Sequence, residues 1–424
     1  MRLTVFEQNP IQVHQRADEE KGCLDFDQAL ALVDSGERMG ARIAAWQGRE
    51  TLRLQQFVGV MRTGDLLLEI LPKLDSLPDP AQVRKNLVAM LAVTQDLEVR
   101  PSEIVGFLES SEPFICALAR LYCRRLLEAV RRGLRQEYVL HHDALPHIRG
   151  KVDWPAQARF QATQRLEFNC IFDERSEDTP LNRTLKAALL AAGTMLEGSR
   201  TASIVNELRY AMEGVSDACP TAEQVQRLRT DRMNRHLEPL LVLAKLILGN
   251  RNPDLGRSAQ GNRNTYALIW DMNVLFEEYV GRLTRQTLTR RGLGVDLQAG
   301  APAYLARDAV TNQNAFLLKP DILVRLNRRS LVVADTKWKG LDARQANLGV
   351  SQADVYQMLA YAHRYETEQA VLIYPHHPSL GMPGIKRELL IERTGIPPVR
   401  LRIVAVDLAN LESVPEQLER GLLA

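Results

Sequence analysis

Two apolar runs, Ile322-Leu-Val-Arg-Leu326 and Leu331-Val-Val-Ala-Asp335, stand on either side of four polar residues, Asn327–Ser330. This spacing constrains the C-terminal third more than any other feature of the chain. Short runs rich in β-branched residues around a polar turn read as an antiparallel hairpin. If Leu326 pairs with Ser330, the same register sets Asp321 opposite Asp335, with their Cβ atoms about 4.5–5.5 Å apart on one face. The two-residue period of a strand then puts Lys337 on that face as well.

Two carboxylates so close among apolar strands repel each other and resist ionisation unless a cation lies between them. A hard divalent metal answers that need. Mg²⁺ takes oxygen ligands and keeps several waters, so Asp321, Asp335, the Thr336 carbonyl and a phosphate oxygen form a sensible shell. Such an ion activates water and stabilises charge on a phosphodiester, while Lys337 orients the nucleophile or neutralises the transition state. An Asp followed by Asp-x-Lys is also a common surface salt-bridge pattern, but here the second Asp ends the otherwise apolar strand "LVVAD", where solvated charges are unusual. A helix with Gln352, Tyr356, Gln357 and Tyr361 follows, and one with Glu277 and Glu278 precedes.

The rest of the chain sets the context. Its 424 residues exceed one ordinary core and suggest two or three domains. Residues 1–105 read as strand-rich, with runs at "ARIAAW", "LRLQQFVGVM" and "DLLLEILPKL" and a helix at "FDQALALVDSG". Residues 106–255 read as helical, with long helices expected at 115–133, "NRTLKAALLAAGTMLEG" and "TAEQVQRLRTDRMNRHLEPLLVLAKLILG". "TYALIWDMNVLFEEYVGRLTRQTLTRRG" reads as another long helix, and residues 256–424 as an α/β domain entered through the Asn-, Gly- and Arg-rich segment 251–264.

No apolar run approaches the roughly 20 residues of a membrane span. The N-terminus carries acidic and polar residues where a signal peptide needs an apolar core, so the expected location is the cytoplasm. Five scattered cysteines, none after Cys219, argue against a disulfide framework or a cysteine-bound metal near the hairpin. A net charge of +2 leaves nucleic-acid binding to local basic patches, such as Arg325, Arg328, Arg329 and Lys339. The row Arg120, Arg124, Arg131 and Arg135 reads first as a solvated helix face. The pairs His141-His142 and His376-His377 lack zinc-ligand spacing and read as surface or turn residues. No G-x-x-x-x-G-K-[ST] loop occurs, so the chain is expected to bind no nucleotide itself.

Pro320-Asp321, Asp335-Thr336-Lys337 and Gln357-Met-Leu-Ala-Tyr361 resemble the PD-(D/E)xK nuclease core of the RecB-like kind, with its trailing Q-x-x-x-Y helix. More closely, "DMNVLFEEYV", "KPDI" and "ADTKWK" resemble McrC, the nuclease subunit of McrBC-type modification-dependent restriction systems. "VGVMRTGDLLLEILPKL", "HIRGKVDW" and "FDERSEDTPLNRTLKAAL" are similar to further segments of that family. The resemblance implies a multidomain α+β/α/β chain with a C-terminal restriction-endonuclease-like domain. Asp321, Asp335 and Glu277 would be metal ligands, Lys337 the catalytic lysine, and Gln357 with Tyr361 supporting groups. Glu278 remains an alternative to Glu277, and Gln352 with Tyr356 an alternative to the second pair. It further implies Mg²⁺ (Mn²⁺ substituting), double-stranded DNA as substrate, and an McrB-like AAA+ GTPase hexamer as partner. Residues 1–255 would dock into that motor and stimulate it, and recognition of modified cytosine would belong to the partner. Two other readings stay open at this point: a RecB-like exonuclease of another defence or repair system, and a non-catalytic adaptor that activates a AAA+ motor.

Overall fold

The computed structural model describes residues 1–74, 79–97, 112–161, 167–196, 201–218, 220–249, 266–298, 303–327 and 329–424. The chain divides into two compact units, Met1–Phe114 with Asn252–Ala424, and Ile115–Arg251. The first and last thirds of the sequence therefore share one body. The segment 251–264, Cys219 and Arg328 lie outside the described residues.

The first unit begins with two small sheets. One orders Arg2–Phe6, Leu66–Leu71, Phe57–Thr63 and Tyr266–Asp271; the other orders Leu24–Asp25, Pro10–His14, Thr51–Leu54 and Ala44–Trp46. Alternating apolar residues such as Ile11, Leu52, Met61 and Leu68 close a core between them, together with Leu32 of the helix Phe26–Arg38. Asp25 starts that helix: its carboxylate accepts from Gln28 N while the Gln28 side chain accepts from Asp25 N, a reciprocal cap. Tyr266–Asp271 corrects the reading of 265–292 as one helix. These six residues are a strand, paired antiparallel with Phe57–Thr63. Gly59 permits the pairing, since a Cβ there would stand 1.9 Å from the Leu268 carbonyl oxygen. Asp271 then accepts from Asn273 N at 2.8 Å and begins the helix Met272–Thr289.

The C-terminal part of this unit is a six-stranded mixed sheet in the order Gly294–Leu297, Ile322–Leu326, Arg329–Thr336, Gln369–Pro375, Val399–Val406, Gly384–Ile391. Its three central strands run parallel. The helix Gln352–Arg364 makes the crossover that a parallel pair requires. Alternation sends Leu323, Val333, Leu372 and Ile403 into the core with Met358, Tyr361 and Ala362 of that helix. Val404 points the other way, against Gly421 of the helix Val414–Leu423.

The second unit is built on the helices Phe114–Arg132, Pro180–Met195 and Glu238–Gly249. The first ends at Gly133, whose φ of +99° suits the left-handed exit glycine favours. Tyr122 is fully buried and donates to the Leu185 carbonyl at 2.6 Å, pinning the first helix to the second. Two expectations for this region are corrected. It is not helical throughout, because Glu137–Leu145, Phe168–Ser176 and Lys151–Val152 form a three-stranded sheet. The expected long helix at 221–249 is broken into Ala222–Arg227, the short 3₁₀ turn Arg235–Leu237 and Glu238–Gly249. The break has a local cause: the Asp231 carboxylate accepts from Met233 N and Asn234 N, a turn that competes with helix. In the arginine row, Arg120 Nε donates to Thr201 Oγ1, Arg131 lies near Glu207 and Arg135 near Asp231. His141 lies in a strand and stacks on Phe172. His376 and His377 each contact the turn that follows them. Cys23, Cys116, Cys123 and Cys170 are buried free thiols.

Candidate active site

The hairpin is formed by Ile322–Leu326 and Arg329–Thr336, and its two ends obey different registers. Ile322 pairs with Ala334 and Leu323 with Val333, so the next step outward sets Asp321 against Asp335. At the turn, Leu326 pairs with Arg329 and not with Ser330 as the sequence suggested. A bulge after Val324 absorbs the one-residue difference. The turn is tighter than expected, and Asn327 supplies the left-handed residue it needs, at φ 57°.

Asp321 sits just before its strand and is tied to the other: its Oδ2 accepts from Thr336 N at 2.7 Å and from Thr336 Oγ1 at 2.8 Å. Asp335 is 2% exposed, and its Oδ2 lies 2.5 Å from Lys337 Nζ. Burial raises the pKa of both carboxyls well above the usual range; Glu277 adds to this at Asp321, and Asp321 adds to it at Asp335. For the Lys337 ammonium, burial pulls downward, but the carboxylates of Asp335, Asp354 and Asp321 outweigh it and the net shift is upward.

The helix Gln352–Arg364 completes this side. Lys337 Nζ donates to Gln357 Oε1 at 3.2 Å, Gln357 Nε2 to Tyr361 Oη at 2.8 Å, and Tyr361 Oη to the Lys319 carbonyl at 3.2 Å. The chain of bonds runs from the lysine to the backbone two residues before Asp321. Gln352 and Tyr356 bond only to each other among these groups, at 2.6 Å, and Tyr356 is 61% exposed. Geometry thus brings Gln357 and Tyr361 to Lys337 and leaves the other pair outside.

Glu277 and Glu278 both line an open cleft of about 560 Å³ with Asp321, Arg282 and Gln298. Of the two, Glu277 is the one whose charge acts on Asp321. A residue that sequence reasoning missed makes the link. Gln298 donates its Nε2 to Glu277 Oε1 at 3.0 Å, while its backbone N donates to the Asp321 carbonyl at 2.9 Å. It holds a left-handed φ of 52°, which nothing in the local sequence announces. Asp354 was also missed; it pairs with Lys339, and its charge reaches Asp335 and Lys337.

Among the described residues no group of three or more His, Cys, Asp or Glu side chains stands ready to hold a metal ion. The carboxylate oxygens of Asp321 and Asp335 nonetheless suit a cation that keeps much of its water, as Mg²⁺ does. Burial and mutual repulsion have made this pair reluctant to ionise, and a divalent cation offsets both. The donor set fits a hard divalent ion.

Fold and site together define a multidomain mixed α/β protein with a partly buried acid–acid–lysine cluster at the end of a mixed sheet. The family model described as McrBC 5-methylcytosine restriction system component matches residues 52–375. The type IV methyl-directed restriction enzyme EcoKMcrBC of Escherichia coli K12 is 22% identical over 266 residues, covering 59% of this chain and 74% of that protein. Among solved structures, a chain of the tetradecameric assembly of Thermococcus gammatolerans McrB AAA+ hexamers with bound McrC superposes with a TM-score of 0.72 at 19% identity, covering 99% of both chains. A chain of the cryo-EM McrBC complex from the same organism gives a TM-score of 0.52 at 19% identity, over 68% of this chain and 88% of that one. The chain belongs to the McrBC 5-methylcytosine restriction system component family, as an McrC-type member. No helix of the described residues is long and apolar enough to cross a membrane.

Proposed function

We propose that this chain is the DNA-cleaving subunit of an McrBC-type restriction system: a Mg²⁺-dependent endonuclease with a PD-(D/E)xK core, acting on double-stranded DNA that carries modified cytosine. The observation that carries the reading is the Asp321, Asp335, Lys337 cluster, gathered at one end of the sheet and braced from two helices. Asp321, Asp335 and Glu277 would hold the metal, with the Thr336 carbonyl. The ion would supply Lewis acidity and a water acidified for attack. The chain's own groups do the positioning. Thr336 fixes the rotamer of Asp321, and Gln357 and Tyr361 aim the Lys337 ammonium, where it can stabilise charge developing on a phosphate oxygen.

The chain is further proposed to assemble with an McrB-like AAA+ GTPase hexamer, to stimulate its GTPase through residues 1–255, and to leave recognition of the modified base to it. Support comes from the family match and from the McrB hexamers present in the related structure. The test combines the full chain with its AAA+ partner, cytosine-methylated duplex DNA, GTP and Mg²⁺. Wild type cuts and Lys337→Ala does not; equal cutting by both sinks the mechanism.

A further inference from the structure

Directly after the candidate lysine stands Trp338, 5% exposed and held at every side. Its indole Nε1 donates to Glu7 Oε1 at 2.9 Å. Its backbone carbonyl accepts from Gln56 Nε2 at 3.0 Å. The ring packs against Phe276 at 5.3 Å between centroids, tilted by 56°. Phe276 is fully buried and immediately precedes Glu277. One tryptophan therefore follows one candidate site residue in the chain, touches the neighbour of another, and is gripped by two residues from the first sixty of the chain.

Those two grips are themselves anchored. Glu7 Oε1 also accepts from Lys73 N at 3.1 Å, and Glu7 N donates to the Leu71 carbonyl at 2.9 Å, so the carboxylate extends the first small sheet. Gln56 has a second attachment: its carbonyl accepts from Met272 N at 2.9 Å, and its side-chain oxygen accepts from Asn273 Nδ2 at 3.1 Å. It thus holds the end of the Lys337 strand and the start of the Glu277 helix at once. A glutamate that is 1% exposed is unusual without a task, since burying an ionisable group is costly unless its partners require it.

We propose that Trp338 is a positioning residue for the Lys337 strand, and that Glu7 and Gln56 act through it to hold the lysine and the Glu277 helix in register. The proposal rests on the nuclease reading for its functional consequence, though the coupling itself is a property of the fold. An acceptor at Glu7 Oε1 is what the geometry requires, whether or not it is charged. Burial pushes the Glu7 carboxyl up to about 7, and nearby Asp271 pushes the same way against the two hydrogen bonds and Lys73, so a neutral glutamine is a close substitute. Lys339, His376 and His377 line the small cavity beside it.

The test compares Glu7→Leu, Glu7→Gln and Gln56→Leu in the full chain, assembled with its AAA+ partner. Cleavage is measured against DNA concentration, and GTPase stimulation is the control for folding and assembly. Displacing a reacting group by about 1 Å costs on the order of 10²-fold. The expected result is that Glu7→Leu lowers kcat roughly 10- to 100-fold with KM and GTPase stimulation near wild type. Glu7→Gln should restore most of the rate, and Gln56→Leu should behave like Glu7→Leu. A wild-type kcat in Glu7→Leu, or a glutamine variant no better than leucine, overturns the proposal. Hydrogen exchange at the Lys337–Lys339 amides keeps the two readings apart. Exchange should quicken there in Glu7→Leu, but not in the sheet of the second unit. If wild type fails to cut, the nuclease reading falls alone; if exchange is unchanged in the variant, the coupling falls alone.

Discussion

The helix Gln352–Arg364 carries the same short pattern twice, five residues apart, and the two copies have opposite fates. Gln357 and Tyr361 bind Lys337 and the Lys319 carbonyl; Gln352 and Tyr356 bind each other at the surface. Five residues turn an α-helix by about 140°, so two copies of one motif cannot share a face. What distinguishes them is the side the core demands. Met358 and Ala362 are fully buried, and they drag Gln357 and Tyr361 toward the sheet. A motif repeated in sequence is therefore informative only after the buried face of its helix is known.

The sharpest way to break this comparison is at the group the inner pair serves. Lys337→Ala removes the ammonium that Gln357 aims, and cleavage in the reconstituted complex should fall by about 10²- to 10³-fold or more. Asp335→Asn should be equally severe, and the pair separates metal binding from lysine chemistry. Calorimetric titration with Mn²⁺ should lose affinity in Asp335→Asn and keep it in Lys337→Ala.

Next come the two acids on the preceding helix, which repeat the contrast. Glu277→Gln should cost about tenfold or more in cleavage, because Glu277 is the acid whose field reaches Asp321, whereas Glu278→Gln should stay within about twofold. A larger loss from the Glu278 variant would reverse the assignment.

The pH dependence follows from the raised carboxyls. Asp321 and Asp335 both hold their protons more tightly in the folded chain than in the unfolded one. Stability from this source is therefore fully present below about pH 4, the ordinary carboxylate value, and is lost as pH rises through the raised folded values. A divalent cation works in the opposite sense, because it binds the ionised forms. Added Mg²⁺ or Mn²⁺ should raise the melting temperature at pH 7.5 and do little at pH 5, measured by calorimetry. A metal effect independent of pH would show that the ion binds elsewhere.

The smallest effects test the two Q-x-x-x-Y copies directly. Tyr361→Phe removes both hydrogen bonds of its hydroxyl, from Gln357 Nε2 and to the Lys319 carbonyl; with about 1 kcal/mol of that expressed at the transition state, the rate falls roughly fivefold. The double change Gln352→Leu with Tyr356→Phe should leave the rate within about twofold. Equal losses in both would mean that the outer pair also meets the DNA.

The sequence by itself determined the hairpin, its two aspartates and its lysine, because an alternating strand with period two leaves few choices of face. The register at the carboxylate end was legible even though the turn was tighter than the sequence implied, since the bulge after Val324 compensated for it. The helix at "FDQALALVDSG" was likewise legible, and Asp25 caps its start. The strand Tyr266–Asp271 was hidden, because its residues suit a helix as readily and only the free edge of Phe57–Thr63 draws them into a sheet. The joining of the first and last thirds of the chain was hidden for the same reason. Gln298 and Asp354 were out of reach, as were the holds of Glu7 and Gln56 on Trp338, more than 280 residues away in the chain. Local pattern fixes which face a residue occupies, but only tertiary packing decides which distant residue it meets there. In this protein that decision selects Glu277 over Glu278, and Gln357 over Gln352, as the neighbours of the two aspartates and the lysine.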